Sequence, residues 1–146
     1  MRNRDPEHDS QANSTPNSRE LVLAMEQHLE SEGVLPFDLA ETLRKRLGFS
    51  KEGFATKYLS VSARTYGRFG ERGRLSPTIS TRVYRLARLL EAATNLHAGD
   101  VARALRWIDA PNLALGGRCP IDGISRQADF DQVMGLVGAL EDGVFV

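Results

Sequence analysis

Apolar residues along this chain recur at intervals of three and four, and glycine, proline and serine interrupt them where helices begin and end. Leu21, Met25, His28 and Leu29 fall on one helical face and predict a helix over 19–32 that Gly33 ends. Pro36 stands where a helix can start, and Leu39, Leu43 and Leu47 give a second helix its stripe before Gly48 closes it. Ser50 is a natural N-cap for a third helix over 51–59, with Phe54, Ala55, Tyr58 and Leu59 offered to the core. After a break at 60–62, a fourth helix covers 63–72 and stops at Gly73. Ser76 followed by Pro77 opens a fifth helix to about 96, lined by Ile79, Val83, Leu86, Leu90 and Ala93. Asp100 caps a sixth that carries Val101, Ala104, Leu105 and Ile108, with Trp107 close by and Pro111 as its stop. The stretch 111–120, with Gly116 and Gly117, reads as a defined loop. A last helix over 130–141 places Val133, Leu136, Val137 and Leu140 on one side. Val, Ile and Thr nowhere alternate with polar residues over a strand's length. The expected fold is all-α.

Residues 1–18 are rich in Asn, Ser, Asp, Gln and Pro and have almost nothing to bury, so they are expected to form a disordered N-terminal tail. The rest divides into a helical region over 19–96 and a second, smaller helical module over 97–146. A length of 146 residues suits one ordinary domain or two small ones sharing a core. No apolar run reaches the 18 or so residues that span a bilayer, and the first 18 residues lack the apolar segment of a secretory signal. With one cysteine, Cys119, no internal disulfide is possible, which fits a reducing cytoplasm.

Net charge is zero, and that average conceals a division. Between Leu43 and Arg88 twelve Lys or Arg stand against two acids, Glu52 and Glu71, while the remainder of the chain is acidic by the same margin. A basic block framed by acidic flanks suggests a polyanion on one surface and a different partner elsewhere.

The segment 50–72 has the form of a helix-turn-helix: two short helices meet at a tight turn, with the small Ala55 at their close approach. Val61, Tyr66 and Phe69 can anchor the second helix. That leaves Arg64, Arg68 and Arg72, at i, i+4 and i+8, on an outward stripe about 12 Å long. Ser62 and Thr65 lie near its exposed start, where such motifs touch base edges. Arginine suits bidentate bonds to guanine, and Lys51, Lys57, Arg74 and Arg82 are expected to hold phosphates. The expected target is double-stranded operator DNA, bound by a homodimer that matches two half-sites. Gly67 and Gly70 each weaken the recognition helix by about 1 kcal/mol relative to alanine, so docking, either to its own core or to DNA, is expected to order it.

No catalytic constellation is visible. His8, His28 and His97 lack metal spacing, Cys119 has no evident base and reads as a structural thiol, and the glycines between 48 and 73 follow no strand that could make a phosphate loop. The chain is expected to be no enzyme and to need no cofactor. Trp107 reads as a core anchor, and Asn112 as a turn residue that bonds local backbone. The end of the chain is different. Val144, Phe145 and Val146 follow a glycine, Gly143, with no chain left to cover them, and burying each is worth about 1.5–3 kcal/mol. They either fold back onto their own core or enter a pocket on another protein, with the acidic Glu141 and Asp142 beside them.

The string from Ala104 to Pro120, with its Trp107-Ile108, Pro111-Asn112, Leu115-Gly116-Gly117 and Pro120, resembles the hallmark of the Xre/MbcA/ParS antitoxins. So do the spaced Val133, Leu136, Val137 and Leu140 and the Gly143-Val144-Phe145 ending. With the helix-turn-helix, the resemblance covers about Leu43 to Val146. It implies a type II toxin–antitoxin pair whose partner is a RES-domain toxin that degrades NAD. It further implies that the C-terminal module blocks the toxin's active-site entrance and that the helix-turn-helix represses the pair's own promoter. On that footing Glu141, Asp142, Gly143, Val144, Phe145 and Val146 are the expected toxin-binding residues. Gly123, Arg126 and Asp129 depart from the family's usual Leu, Thr and Gly, which predicts a looser loop before the last helix. The competing expectations are a free-standing transcription regulator whose C-terminal half only dimerises, and an interaction protein that reads no DNA sequence.

Overall fold

The computed structural model describes residues 17–143, all of it helices and connecting turns, with a single bridge between Pro36 and Arg74. Helix α1 is Ser18–Glu32 and α2 is Phe37–Leu47. Helix α3, Lys51–Gly53, runs directly into a π-helical segment, Phe54–Leu59. Then come α4, Ala63–Arg72; α5, Pro77–Leu96; and α6, Val101–Ile108. Two 3₁₀ turns, Leu113–Leu115 and Pro120–Ile124, lead to α7, Gln127–Glu141.

The caps read from the sequence, Ser50, Ser76 and Asp100, form, each accepting a backbone N–H from the third residue onward. Ser62, read from the sequence as a base-edge residue, caps α4 in the same way. Gly33, Gly48 and Gly73 close α1, α2 and α4 at φ of 76°, 78° and 80°, a region costly for any side chain. Two ends differ from expectation. Asn17 caps α1 in a reciprocal box with Glu20, so the helix includes Ser18, which had been assigned to the tail; residues 1–16 lie outside the described residues. Helix α7 begins at Gln127 rather than at 130, because Arg126 starts it without a side-chain cap that the sequence could advertise.

The third expected helix is not a plain α-helix. From Phe54 it widens into π winding, and Ser60, at φ 57°, turns the chain toward α4. The Tyr58 carbonyl in its last turn accepts from Arg82 Nε of α5 at 3.0 Å, so a tertiary bond holds this end. Over six residues, Phe54, Ala55, Tyr58 and Leu59 fit either winding, which is why their spacing could not tell the two apart.

One core runs through the described chain, and α5 is its spine. It packs against α1, the π segment, α6, the Pro120–Ile124 turn and α7. Val83, Leu86, Leu89 and Ala93 are buried completely along it. Each large side chain of this kind contributes about 1.5–3 kcal/mol, so truncating the middle of α5 loosens both ends of the molecule.

Candidate nucleic-acid and partner interfaces

Helix α4 is seated by its aromatic side. Tyr66 and Phe69 are buried, and the Tyr66 ring lies 5.0 Å from Phe37 and 5.8 Å from Phe54. The Tyr66 hydroxyl donates to Glu41 Oε2 at 2.7 Å, and the same carboxylate takes a two-pronged grip from Arg44 at 2.8 Å on each oxygen. Arg44 also reaches the Phe49 carbonyl at 2.7 Å. The Arg44 guanidinium holds the Glu41 carboxyl down at about 2, and burial pushes the Tyr66 hydroxyl well above its ordinary value. The recognition helix is therefore ordered by its own core.

With that side fixed, Arg64, Arg68 and Arg72 project from the opposite face and are exposed. They make no ion pair among the described residues. Ser62 is exposed, but its hydroxyl is engaged: it accepts from Thr65 N at 3.0 Å and donates to Thr65 Oγ1 at 3.1 Å. Thr65 is half-buried and Lys51 exposed at the start of α3. Arg72 and Arg74 border an open concavity of about 400 Å³ with Val34, Leu75, Ser76 and Pro77, at the first turn of α5. Two guanidiniums beside a helix N-terminus can hold an anionic oxygen there. Their convergence depends on the turn after α4 being stitched to the α1–α2 loop, by Phe37 N to the Gly73 carbonyl and Leu75 N to the Leu35 carbonyl. Spacing in the sequence carries no trace of it.

The arginines of α5 face inward. Arg82, expected at a phosphate, binds the Tyr58 carbonyl, Ser60 Oγ at 3.2 Å and Ser125 Oγ at 3.0 Å, clasping the helix-turn-helix to the C-terminal module. That expectation is corrected: its guanidinium is committed inside the fold, and burial lowers its pKa. Arg85 bonds the Ile124 carbonyl and Gln127, and Arg88 lies 5.1 Å over the Phe130 ring. Lys57 is exposed, and its ammonium pairs with Asp109 at 3.1 Å, an acid that also accepts from the Tyr58 hydroxyl.

In the C-terminal module, Asn112 bonds local backbone as expected, its Oδ1 accepting from Ala114 N at 2.9 Å and its carbonyl from Leu115 N and Gly117 N. Gly116 and Gly117 take left-handed φ of 68° and 86° to make this possible. Trp107 packs half-buried against the core, and Cys119 donates its thiol to the Asp109 carbonyl at 3.3 Å. The loop before α7 is tight, contrary to expectation. A Cβ on Gly123 would lie 2.7 Å from Val133 Cγ2 and 3.1 Å from the Asp129 carbonyl, so nothing larger fits. Arg126 and Arg118 both pair with Asp129, at 3.3 and 3.6 Å. The three departures fit one another. Glu141, Asp142 and Gly143 are exposed at the end of α7, while Val144, Phe145 and Val146 lie outside the described residues.

This order of parts has counterparts among known proteins. Residues 26–88 match the antitoxin Xre-like helix-turn-helix domain, and residues 92–143 match the antitoxin Xre/MbcA/ParS C-terminal toxin-binding domain. The chain belongs to the Xre/MbcA/ParS antitoxin family. One relative, Antitoxin Xre of Yersinia enterocolitica serotype O:8 / biotype 1B, is 37% identical over 73 residues, which is 50% of this chain and 49% of that protein. Another, Antitoxin Xre of Photorhabdus laumondii subsp. laumondii, is 26% identical over 111 residues, 75% of this chain and 74% of the relative. The match thus spans about half the length of the first and three quarters of the second. The family is one of antitoxins rather than of enzymes, and among the described residues no helix is long and apolar enough to cross a membrane.

Proposed function

We propose that this protein is an antitoxin that acts by binding alone: it neutralises a cognate RES-type, NAD-degrading toxin by blocking its active-site entrance, and it represses its own promoter through the helix-turn-helix. The observation that carries the DNA half is the exposed Arg64, Arg68 and Arg72 stripe on the second helix of the motif. Arg64, Arg68 and Thr65 read base edges, with Ser62 placing the helix start. Lys51, Lys57, Arg72 and Arg74 take phosphates, Lys57 by exchanging its Asp109 partner. The match to a toxin-binding domain supports the other half, and favours it over a regulator whose C-terminal half only dimerises. In this reading Glu141, Asp142 and Gly143 lead the apolar Val144, Phe145 and Val146 into the toxin's entrance. A homodimer presents two recognition helices to two half-sites.

The test is deletion of Gly143 to Val146 in cells that also express the toxin gene from the same locus. DNA binding is expected to persist, while the complex with toxin is lost, cellular NAD falls and growth stops. Growth protection and an intact complex after the deletion would remove the plug from the mechanism.

A further inference from the structure

A solitary exposed leucine is ordinary on a protein surface and carries no function by itself. Leu113 differs in what surrounds it. It is 96% exposed, against 41% for Leu23 on α1 and 36% for Val101 on α6, the next most exposed large apolar side chains among the described residues. The backbone beneath it is fixed. Asn112 N donates to the Arg118 carbonyl at 3.0 Å and closes the loop, Gly116 N donates to the Leu113 carbonyl at 3.1 Å, and Asn112 accepts from the N–H groups of Ala114, Leu115 and Gly117. Leu115 is buried and pins the turn to the core. From Ala110 to Gly117 there is no charged residue, and Ala110, Pro111, Ala114, Gly116 and Gly117 are exposed together with Leu113. Around the leucine the loop carries only short side chains, so it stands clear. Such a surface offers no cation to a phosphate backbone and suits an apolar socket on another protein.

We infer that Leu113 is a preformed knob that docks into an apolar socket on the toxin, a second anchor beside the C-terminal segment. The toxin is the occupant because the loop falls within the 92–143 match to a toxin-binding domain and is tied to the helix that leads to Glu141, Asp142 and Gly143. Arg118, at the bond that closes the loop, reaches Gln132 of α7 at 3.1 Å and Asp129 at 3.6 Å. From Gln132 to Glu141 α7 rises about 14 Å. Both anchors therefore fit within one interface patch of about 800 Å², roughly 30 Å across. Because the loop is already ordered, little backbone freedom is lost on docking. This rests on the toxin-binding reading above and adds an attachment point on a different element.

The experiment measures, by titration calorimetry, the affinity of the full-length protein and its variants for the purified product of the toxin gene at the same locus. Leu113→Ala is expected to weaken binding between about tenfold and a hundredfold, and Leu113→Asp by more than about a hundredfold. Leu23→Ala, on α1, should stay within about twofold of the wild type. Because Leu113 buries almost nothing in its own fold, both of its variants should keep Tm within about 1 °C. Wild-type affinity in both Leu113 variants, with the complex lost on deletion of Gly143 to Val146, removes the knob and leaves the toxin-binding reading standing. A changed mass of Leu113→Asp in light scattering without toxin, at unchanged toxin affinity, assigns the leucine to a contact between two copies of this chain and overturns the proposal. If the wild type binds no toxin, the reading beneath falls and the knob falls with it.

Discussion

Helices α4 and α5 carry arginines at closely similar spacing, Arg64, Arg68 and Arg72 on one and Arg82, Arg85 and Arg88 on the other, and use them in opposite ways. Those of α4 stand exposed over a buried aromatic face. On α5 they turn inward, binding the Tyr58 carbonyl and acceptors of the C-terminal module or lying over the rings of Tyr84 and Phe130. A guanidinium has five donors and a flat apolar face, so it can knit two modules together as well as it can grip a polyanion. What decides between these uses is whether acceptors from another element surround it. The basic block is therefore two devices. One is offered to solvent; the other is a clasp that fixes the recognition helix relative to the toxin-binding domain.

The strongest way to break this comparison is to remove the exposed pair. Replacing Arg64 and Arg68 together by alanine should cost about a hundredfold or more in affinity for a selected duplex, with Tm changed by no more than about 1 °C. Gel shift and thermal melts read the two quantities separately. A large fall in Tm would mean that these arginines also belong to the fold.

Acid sharpens the comparison from the side of the seat. The Glu41 carboxyl is held at about 2, below its ordinary 4.5, chiefly by Arg44. A folded-state value below the unfolded one means that the stabilisation is complete above pH 4.5 and is lost as pH falls toward 2. The loss is on the order of 3 kcal/mol. Urea titrations across that range should show it in the wild type and show a flatter profile in Glu41→Gln. Parallel profiles for the two proteins would sever Glu41 from the seating of α4.

The smallest effect is expected at the clasp. Arg82→Ala should lower stability by about 2 kcal/mol by orphaning the Tyr58 carbonyl, as urea unfolding would measure. Binding to DNA should weaken only as far as the folded population falls. Unchanged stability with markedly weaker DNA binding would return Arg82 to the phosphate contacts.

Much of this was legible along the chain. Caps and stops were readable because they are local: a serine oxygen reaches a backbone N–H three residues on, and a glycine takes a left-handed turn, whatever surrounds them. Ser50, Ser76, Asp100, Gly33, Gly48 and Gly73 all acted within their own turn. The outward stripe of α4 was readable for the same reason, since Tyr66 and Phe69 define its inner face by helical phase alone. Three things were not. The π winding at Phe54–Leu59 shares its apolar spacing with an ordinary helix. The tightness around Gly123 depends on Val133 and Asp129 of the following helix, and a departure from a family pattern cannot show that Arg126 and Arg118 converge on the same aspartate.

By itself, the sequence determined that the chain is helical, where its capped and glycine-stopped helices begin and end, and which face of each is apolar, because these follow from interactions within a few residues. Leu113 and Leu115 show where that reach stops. They are the same residue two positions apart in one loop, yet Leu113 is 96% exposed and Leu115 only 4%. Arg68 and Arg82 are divided in the same way. Only the tertiary structure settled these fates, because burial and pairing depend on which distant segments close around a side chain, and no local pattern encodes that.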